Sequence, residues 1–180
     1  MTIQHTTKYT PVVRMNELKH FKIFGSDPAH SFEAGLVEIL EHRMKCLQIT
    51  DPRLCVRVMP FRRVGRHWLG VVVTPWSVKA VFAPGAREDW KPVKAGATRR
   101  VELPGGTFDF LGLRDNILGE CLVLPLMGTM SIFVDQAAAE AFARACLEIL
   151  MCPVAKPLPS CAMPNPVVSG ETKGDRNDRK

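Results

Sequence analysis

Between residues 54 and 126 the chain leaves the helical spacing that precedes it and turns rich in valine, glycine and proline; a helical period returns only after Asp135. That switch constrains the fold more than any single residue, because apolar positions that alternate along the chain cannot share one helix face. The order helix, several short strands, helix predicts an α+β domain, with an antiparallel β-sheet packed with an N-terminal and a C-terminal α-helix.

The first helix is predicted to open at Ser26-Asp27-Pro28, a capping residue followed by proline at the first helical position. Phe32, Leu36, Ile39, Leu40, Met44 and Leu47 then recur at helical spacing, and the helix is expected to end near Thr50-Asp51-Pro52. Leu54-Cys55-Val56-Arg57-Val58 alternates as a half-exposed strand does, residues 68–73 read as a more buried strand and residues 77–82 as a third. Pro84-Gly85 is a turn signal, and residues 88–98 are expected to form an exposed loop carrying Trp90.

Val101-Glu102-Leu103 and Phe108-Asp109-Phe110 flank a two-residue glycine turn, a hairpin that sets Leu103 opposite Phe108, Val101 opposite Phe110 and Glu102 opposite Asp109. The last is an unfavourable like-charge pair, which Arg100 would offset from a diagonal position. Residues 117–124 form another apolar strand, stopped by Pro125. Asp135 caps a final helix with Ala138, Ala141, Phe142, Ala145, Ile149 and Leu150 on one stripe and Glu140, Arg144 and Glu148 on the opposite, solvated face.

A single domain is therefore expected over residues 26–152. Residues 1–25, polar and basic with Lys8, Arg14, Lys19 and Lys22, read as a flexible arm. Residues 153–180, rich in proline and then in charge, read as a disordered tail. At 46% hydrophobic and 23% charged residues the chain has the composition of a protein with its own core. No stretch approaches the roughly 18 apolar residues of a membrane-spanning helix. The first thirty residues lack an apolar run before a cleavage site, and neither Arg62-Arg63 nor Arg99-Arg100 precedes a signal-type segment. A cytoplasmic protein without membrane insertion is expected.

Chemical machinery is sparse. The six cysteines include no C-x-x-C pair, so reduced thiols without a metal knuckle are expected. His42 and Cys46 are four apart on the first predicted helix; two ligands seldom hold a metal, and packing is the plainer reading. No phosphate-binding loop and no nucleophile elbow occur, and His67 is the last histidine of the chain, so catalysis is not expected. Arg53, Arg57, Arg62, Arg63 and Arg66 form a basic cluster interleaved only with Phe61. It reads as a solvated face or a contact for an acidic protein surface, not as a nucleic-acid site.

Trp68, Trp76 and Trp90 all fall in the central region. Trp68, within a strand, reads as core, whereas Trp76 beside Pro75 and Trp90 in its loop could anchor a partner, because a rigid aromatic buries much area with little loss of freedom. Here the chain resembles a known family. Trp68-Leu69-Gly70-Val71-Val72-Val73-Thr74-Pro75-Trp76 resembles the W-x-G-x-V-[VI]-T-P-W signature of the HybE/HupJ family of nickel-iron hydrogenase assembly chaperones. Pro84-Gly85 and Trp90 match the loop that follows, and residues 103–110 resemble its L-P-x-G-T-x-x-F segment. Residues 121–126 resemble its C-S-L-x-S-P-L stretch, departing at Val123 and before Pro125. The likeness spans about residues 27–152.

The resemblance implies a non-catalytic accessory protein without a cofactor. Its partners would be the precursor of the hydrogenase large or small subunit, and other maturation proteins, held until cofactor insertion and assembly are complete. The rubredoxin domain that some members carry is not implied, for want of C-x-x-C pairs. Trp68, Thr74, Pro75, Trp76, Trp90, Cys121 and Pro125 are the candidate partner-binding residues. A thiol- or metal-binding factor that protects metal centres during aerobic maturation, working through Cys121 and Cys46, is the alternative.

Overall fold

The computed structural model describes residues 21–153. Helix α1 (Ala29–Ile39) leads through a π-helical turn (Leu40–Met44) to strands β1 (Arg57–Val58), β2 (Arg62–Val64), β3 (His67–Thr74), β4 (Ser77–Ala83), β5 (Thr98–Leu103), β6 (Gly106–Asp115) and β7 (Gly119–Met127), and helix α2 (Gln136–Met151) closes the domain. All strand pairs are antiparallel, in the order β1-β3-β4-β7-β6-β5, with β2 also paired to β3. The α+β class expected from the sequence is the observed one.

β3 is apolar almost without interruption because both of its faces are covered. Leu69, Val71 and Val73 join the larger core with Val78, Phe82, Phe110, Leu122 and the inward stripe of α2, Ala139, Ala143, Leu147 and Leu150. Trp68 and Val72 face the other way, into a second core built with Phe32 and Leu36 of α1, Phe61, Val81 and Cys121. Gly70 lies on that second face, where an added Cβ would meet the Phe61 ring at 2.6 Å. The glycine of the W-x-G run is thus set by a ring lying flat on the strand.

Several expectations are corrected. α1 begins at Ala29, so Pro28 stands at the N-cap position and not at the first helical one; Asp27 before it accepts at Oδ1 from Ala29 N at 2.9 Å and from Phe61 N at 3.3 Å. α1 ends at Ile39 and widens into the π turn, with Lys45 N donating to Leu40 O, so Leu47 falls outside the stripe and is exposed. The strand expected at residues 54–58 is ordered as β-structure only over Arg57–Val58, and β2 was not foreseen. In α2, Asp135 caps as expected by accepting from Ala138 N, but Ala141, Ala145 and Ile149 face solvent.

The β5–β6 hairpin turns at Pro104-Gly105, two positions away from the expected register: Leu103 faces Gly106, Val101 faces Phe108 and Arg100 faces Asp109. Glu102 opposes Thr107, and the like-charge pair gives way to an Arg100–Asp109 ion pair at 3.2 Å. Docking fixes this register, since Gly105 N donates to Leu150 O at 2.9 Å and its Cα packs against the Ile149 carbonyl. Pro125 does not stop β7. It sits opposite Lys79 at an irregularity in the β4–β7 ladder, a position that tolerates a missing N–H. Residues 21–25, assigned to the arm, pack on the domain: Trp68 Nε1 donates to Phe24 O at 2.7 Å and Phe24 N to Pro84 O at 3.0 Å. Residues 1–20 of the expected arm and 154–180 of the expected tail, including Cys161, lie outside the described residues.

Candidate functional site

α1 covers the second face of the sheet only in part. The registers place Val58, Val72, Lys79 and Pro125 in one row across β1, β3, β4 and β7, and Gly70, Val81, Val123 and Leu111 in the next, across β3, β4, β7 and β6. Between these rows and the helix lies a cleft of about 250 Å³. Phe32, Leu36, Ile39, Arg43 and Met44 form its helical wall, and Val72, Lys79, Val81, Leu113, Cys121 and Val123 its floor. The π turn supplies Arg43 and Met44, so the widened end of α1 forms the lip. Trp76 stands at the β3–β4 hairpin end, while Asp115 and Leu118 close the β6–β7 end.

The hairpin is built to hold Trp76. Thr74 and Ser77 face each other, with the Thr74 hydroxyl donating to Ser77 O at 2.8 Å and accepting from Ser77 N at 3.1 Å. Pro75 and Trp76 occupy the turn, and Pro75 O accepts from Asp51 N at 2.8 Å. The side chain of Trp76 packs against the second core yet stays partly exposed.

Charge in the cleft is uneven. Arg43 Nη1 and Asp115 Oδ2 pair at 2.5 Å. Burial would raise the Asp115 pKa, but the N–H groups of Ile117 and Leu118 and the Arg43 guanidinium outweigh it and hold the carboxyl below its ordinary range. Lys79 has no such partner among the described residues, and burial pulls its pKa down, the Cys121 thiol opposing weakly. Cys121 is fully buried; desolvation, helped by the carboxylates of Asp115 and Glu120, pushes its pKa up to about 12. Such a thiol stays protonated and is neither a nucleophile nor a ready metal ligand. His42 lies in the π turn with Nδ1 donating to Glu38 O at 3.0 Å, and Cys46 lies in the turn beyond it, so the chelating spacing of a regular helix does not apply.

Of the candidate partner-binding residues, Trp76, Cys121 and Pro125 come together on this face, and Trp68 lies deeper in the same core. Thr74 and Pro75 are buried in the turn. The loop that carries Trp90 is exposed as expected, but Trp90 itself turns inward from it. At 4% exposure it belongs to the opposite core, with Nε1 bound to Glu120, its face against Phe82 and Arg99 over its ring. His67 is likewise a packing residue: its Nδ1 accepts from Gly85 N at 3.2 Å and its ring meets Phe82 and Trp90 edge-on. The arginine cluster is engaged within the chain. Arg53 pairs with Asp51, Arg57 with Glu33, Arg62 with Glu148 and Arg66 with Glu88 and Asp89, while Arg63 lies over Trp68. No helix of the described residues is long and apolar enough to cross a membrane. Lys79 escaped the sequence reading; the available signal was a lone cation between Val78 and Ala80 in an otherwise apolar strand.

Known proteins share the sequence pattern and the fold of this chain. A family model described as the NiFe-hydrogenase assembly chaperone HybE matches residues 27–178, carrying the likeness beyond residue 152 into the proline-rich segment. The "Hydrogenase-2 operon protein HybE" of Escherichia coli K12 is 33% identical over 138 residues, covering 74% of this chain and 83% of that protein. The "Hydrogenase expression/formation protein HupJ" of Bradyrhizobium diazoefficiens is 33% identical over 116 residues, 64% of this chain and 67% of the relative. A "Probable rubredoxin HupJ" of Rhodobacter capsulatus is 30% identical over 112 residues, and the match spans only 40% of its length. The solution structure of HybE from Escherichia coli superposes with a TM-score of 0.61 at 25% identity, covering 86% of this chain and 96% of that one.

Proposed function

Because the chain belongs to the NiFe-hydrogenase assembly chaperone family HybE, we propose that it works by reversible binding of immature hydrogenase subunits, and that the cleft between α1 and the sheet, with Trp76 at its mouth, is where they are gripped. The observation that carries this reading is a partly exposed tryptophan fixed by a closed hairpin beside an apolar cleft. A rigid indole over an incompletely covered sheet face offers a partner a large apolar contact at small entropic cost. Among the described residues no arrangement of nucleophile, base and orienting group accompanies it: burial disfavours the thiolate of the cleft's cysteine, and the one carboxylate that they bring to the cleft is held by Arg43.

Binding is placed in the cytoplasm, before export or membrane attachment of the mature hydrogenase. The client is the large or the small subunit precursor, and other maturation proteins join the complex. The test is recovery of subunits on the tagged chaperone from cells making the hydrogenase, in strains lacking either subunit. Trp76→Ala is expected to lower recovery about tenfold or more, as for loss of an interface anchor, with the melting temperature little changed. Undiminished recovery with Trp76→Ala would remove the cleft mouth from the interface, and recovery of neither subunit by the wild-type chain would remove the chaperone reading itself.

A further inference from the structure

Lys79 is out of place in its row. Its neighbours across the sheet are Val72 on β3 and Pro125 on β7, and Val81 is the next residue on the same face of β4. The side chain is half-buried, lines the apolar cleft, and has no hydrogen bond or ion pair among the described residues. Among the described residues the cleft's only carboxylate, Asp115, is occupied by Arg43 and by the N–H groups of Ile117 and Leu118. Counted over the described residues, the cleft therefore carries one positive charge in excess, on an apolar floor where an unpaired ammonium is unfavourable.

We propose that the cleft takes a short apolar polypeptide segment carrying one carboxylate side chain, which pairs with Lys79 while its apolar neighbours lie against Val81, Val123 and Trp76. Charge complementarity selects this occupant, since a purely apolar segment would bury the ammonium without a partner and a basic one would meet a like charge. Size agrees: about 250 Å³ falls below the roughly 300–1,000 Å³ of small-molecule and cofactor pockets, and suits a few side chains. The inference deepens the chaperone reading and rests on it for the identity of the client, but not for the chemistry of the cleft.

Two measurements separate these. In the first, the labelled full chain is titrated with the acetylated, amidated peptide Leu-Leu-Glu-Leu and its Gln analogue, and amide and indole shifts are followed by NMR. The expected result is perturbation at Trp76, Lys79 and Val123, several-fold weaker with the Gln peptide, and lost in Lys79→Met. Equal response to both peptides, or none because another part of this chain or a second copy fills the cleft, overturns the proposal. In the second, purified immature large and small subunits are titrated against wild type, Lys79→Met, Lys79→Arg and the surface control Lys94→Met. Lys79→Met is expected to weaken binding about tenfold or more, with Lys79→Arg and Lys94→Met close to wild type. Removing a half-buried cation should leave the melting temperature of Lys79→Met no lower than that of the wild type, which separates lost binding from lost folding. Binding of a subunit by Lys79→Met as tight as by wild type overturns the proposal. A Glu-selective cleft in a chain that binds neither subunit overturns the chaperone reading alone.

Discussion

The indole N–H of Trp90 donates to the buried carboxylate of Glu120 at 2.8 Å, across a separation of thirty residues. The same oxygen accepts from Val93 N at 3.2 Å, and the other pairs with Arg114 Nε at 3.0 Å. Glu120, at 3% exposure, thereby pins the long β4–β5 connection onto the start of β7.

Glu120→Ala leaves these donors facing an apolar gap, and breaking a buried ion pair from one side costs about 3–5 kcal/mol. Glu120→Gln keeps one acceptor and is expected to lose less. Urea titration of both variants checks the order; equal losses would show that the carboxylate's charge, and not its acceptor atoms, holds the strap.

The Cys121 thiol, with its pKa pushed up from 9.0 to about 12, carries on the order of a thousandfold less thiolate than an ordinary cysteine. Iodoacetamide on the native protein is expected to modify the exposed Cys46, Cys55 and Cys152 and to spare Cys121 until the chain is unfolded. Peptide mass spectrometry before and after denaturant reads this directly. Fast native labelling of Cys121 would revive the thiol-based alternative.

Burial lowers the pKa of His67 from the ordinary 6.5, and the Gly85 N–H donated to Nδ1 requires the unprotonated ring. The folded state then binds fewer protons than the unfolded chain. The contribution of His67 to stability is complete above the ordinary value and is lost as the pH falls through it toward the lower folded-state value. Melting temperatures measured between about pH 7.5 and about pH 5 should fall less steeply for His67→Asn, which keeps an acceptor without the titration. Parallel curves would assign the acid loss to other groups.

Much of the scaffold was legible because it is written locally. Asp135 followed by a helical run, and the unbroken apolar β3 before Thr74-Pro75-Trp76, need no knowledge of distant partners. What was misread depends on partners far along the chain. Trp90 looked like a surface residue of its loop because Glu120, which receives it, lies on another strand. The inward stripe of α2 was rotated because alanines surround the helix and weigh nearly alike on every side, so only docking on β3 distinguishes Ala139 and Ala143 from Ala141 and Ala145. The site was legible in outline: Trp76 and Pro125 were named, but that Lys79 lies between Val72 and Pro125 follows from a register no sequence pattern states.

That docking also fixes the β5–β6 turn. Gly105→Ala would drive a methyl group into the Ile149 carbonyl and is expected to cost about 1–3 kcal/mol. Gly25→Ala, with nothing within 4 Å, should stay within about 0.5 kcal/mol of wild type. Amide exchange at Gly105, which donates to Leu150 O, would rise in the first variant if α2 lets go of the hairpin. Unchanged exchange with lowered stability would instead place the strain within the turn.

Along one rim of the sheet, β1 and β2 share β3 as two stubs of two and three residues, broken around Pro60; the other rim, β5, bears Arg99, Arg100 and Glu102. Neither border is a good template for cross-strand stacking. In the proposed role, such borders would protect the chain from being drawn into aggregates of its clients. The proposed cleft would hold client side chains and not client amides, so the grip would loosen of itself once the client draws those side chains into its own interior.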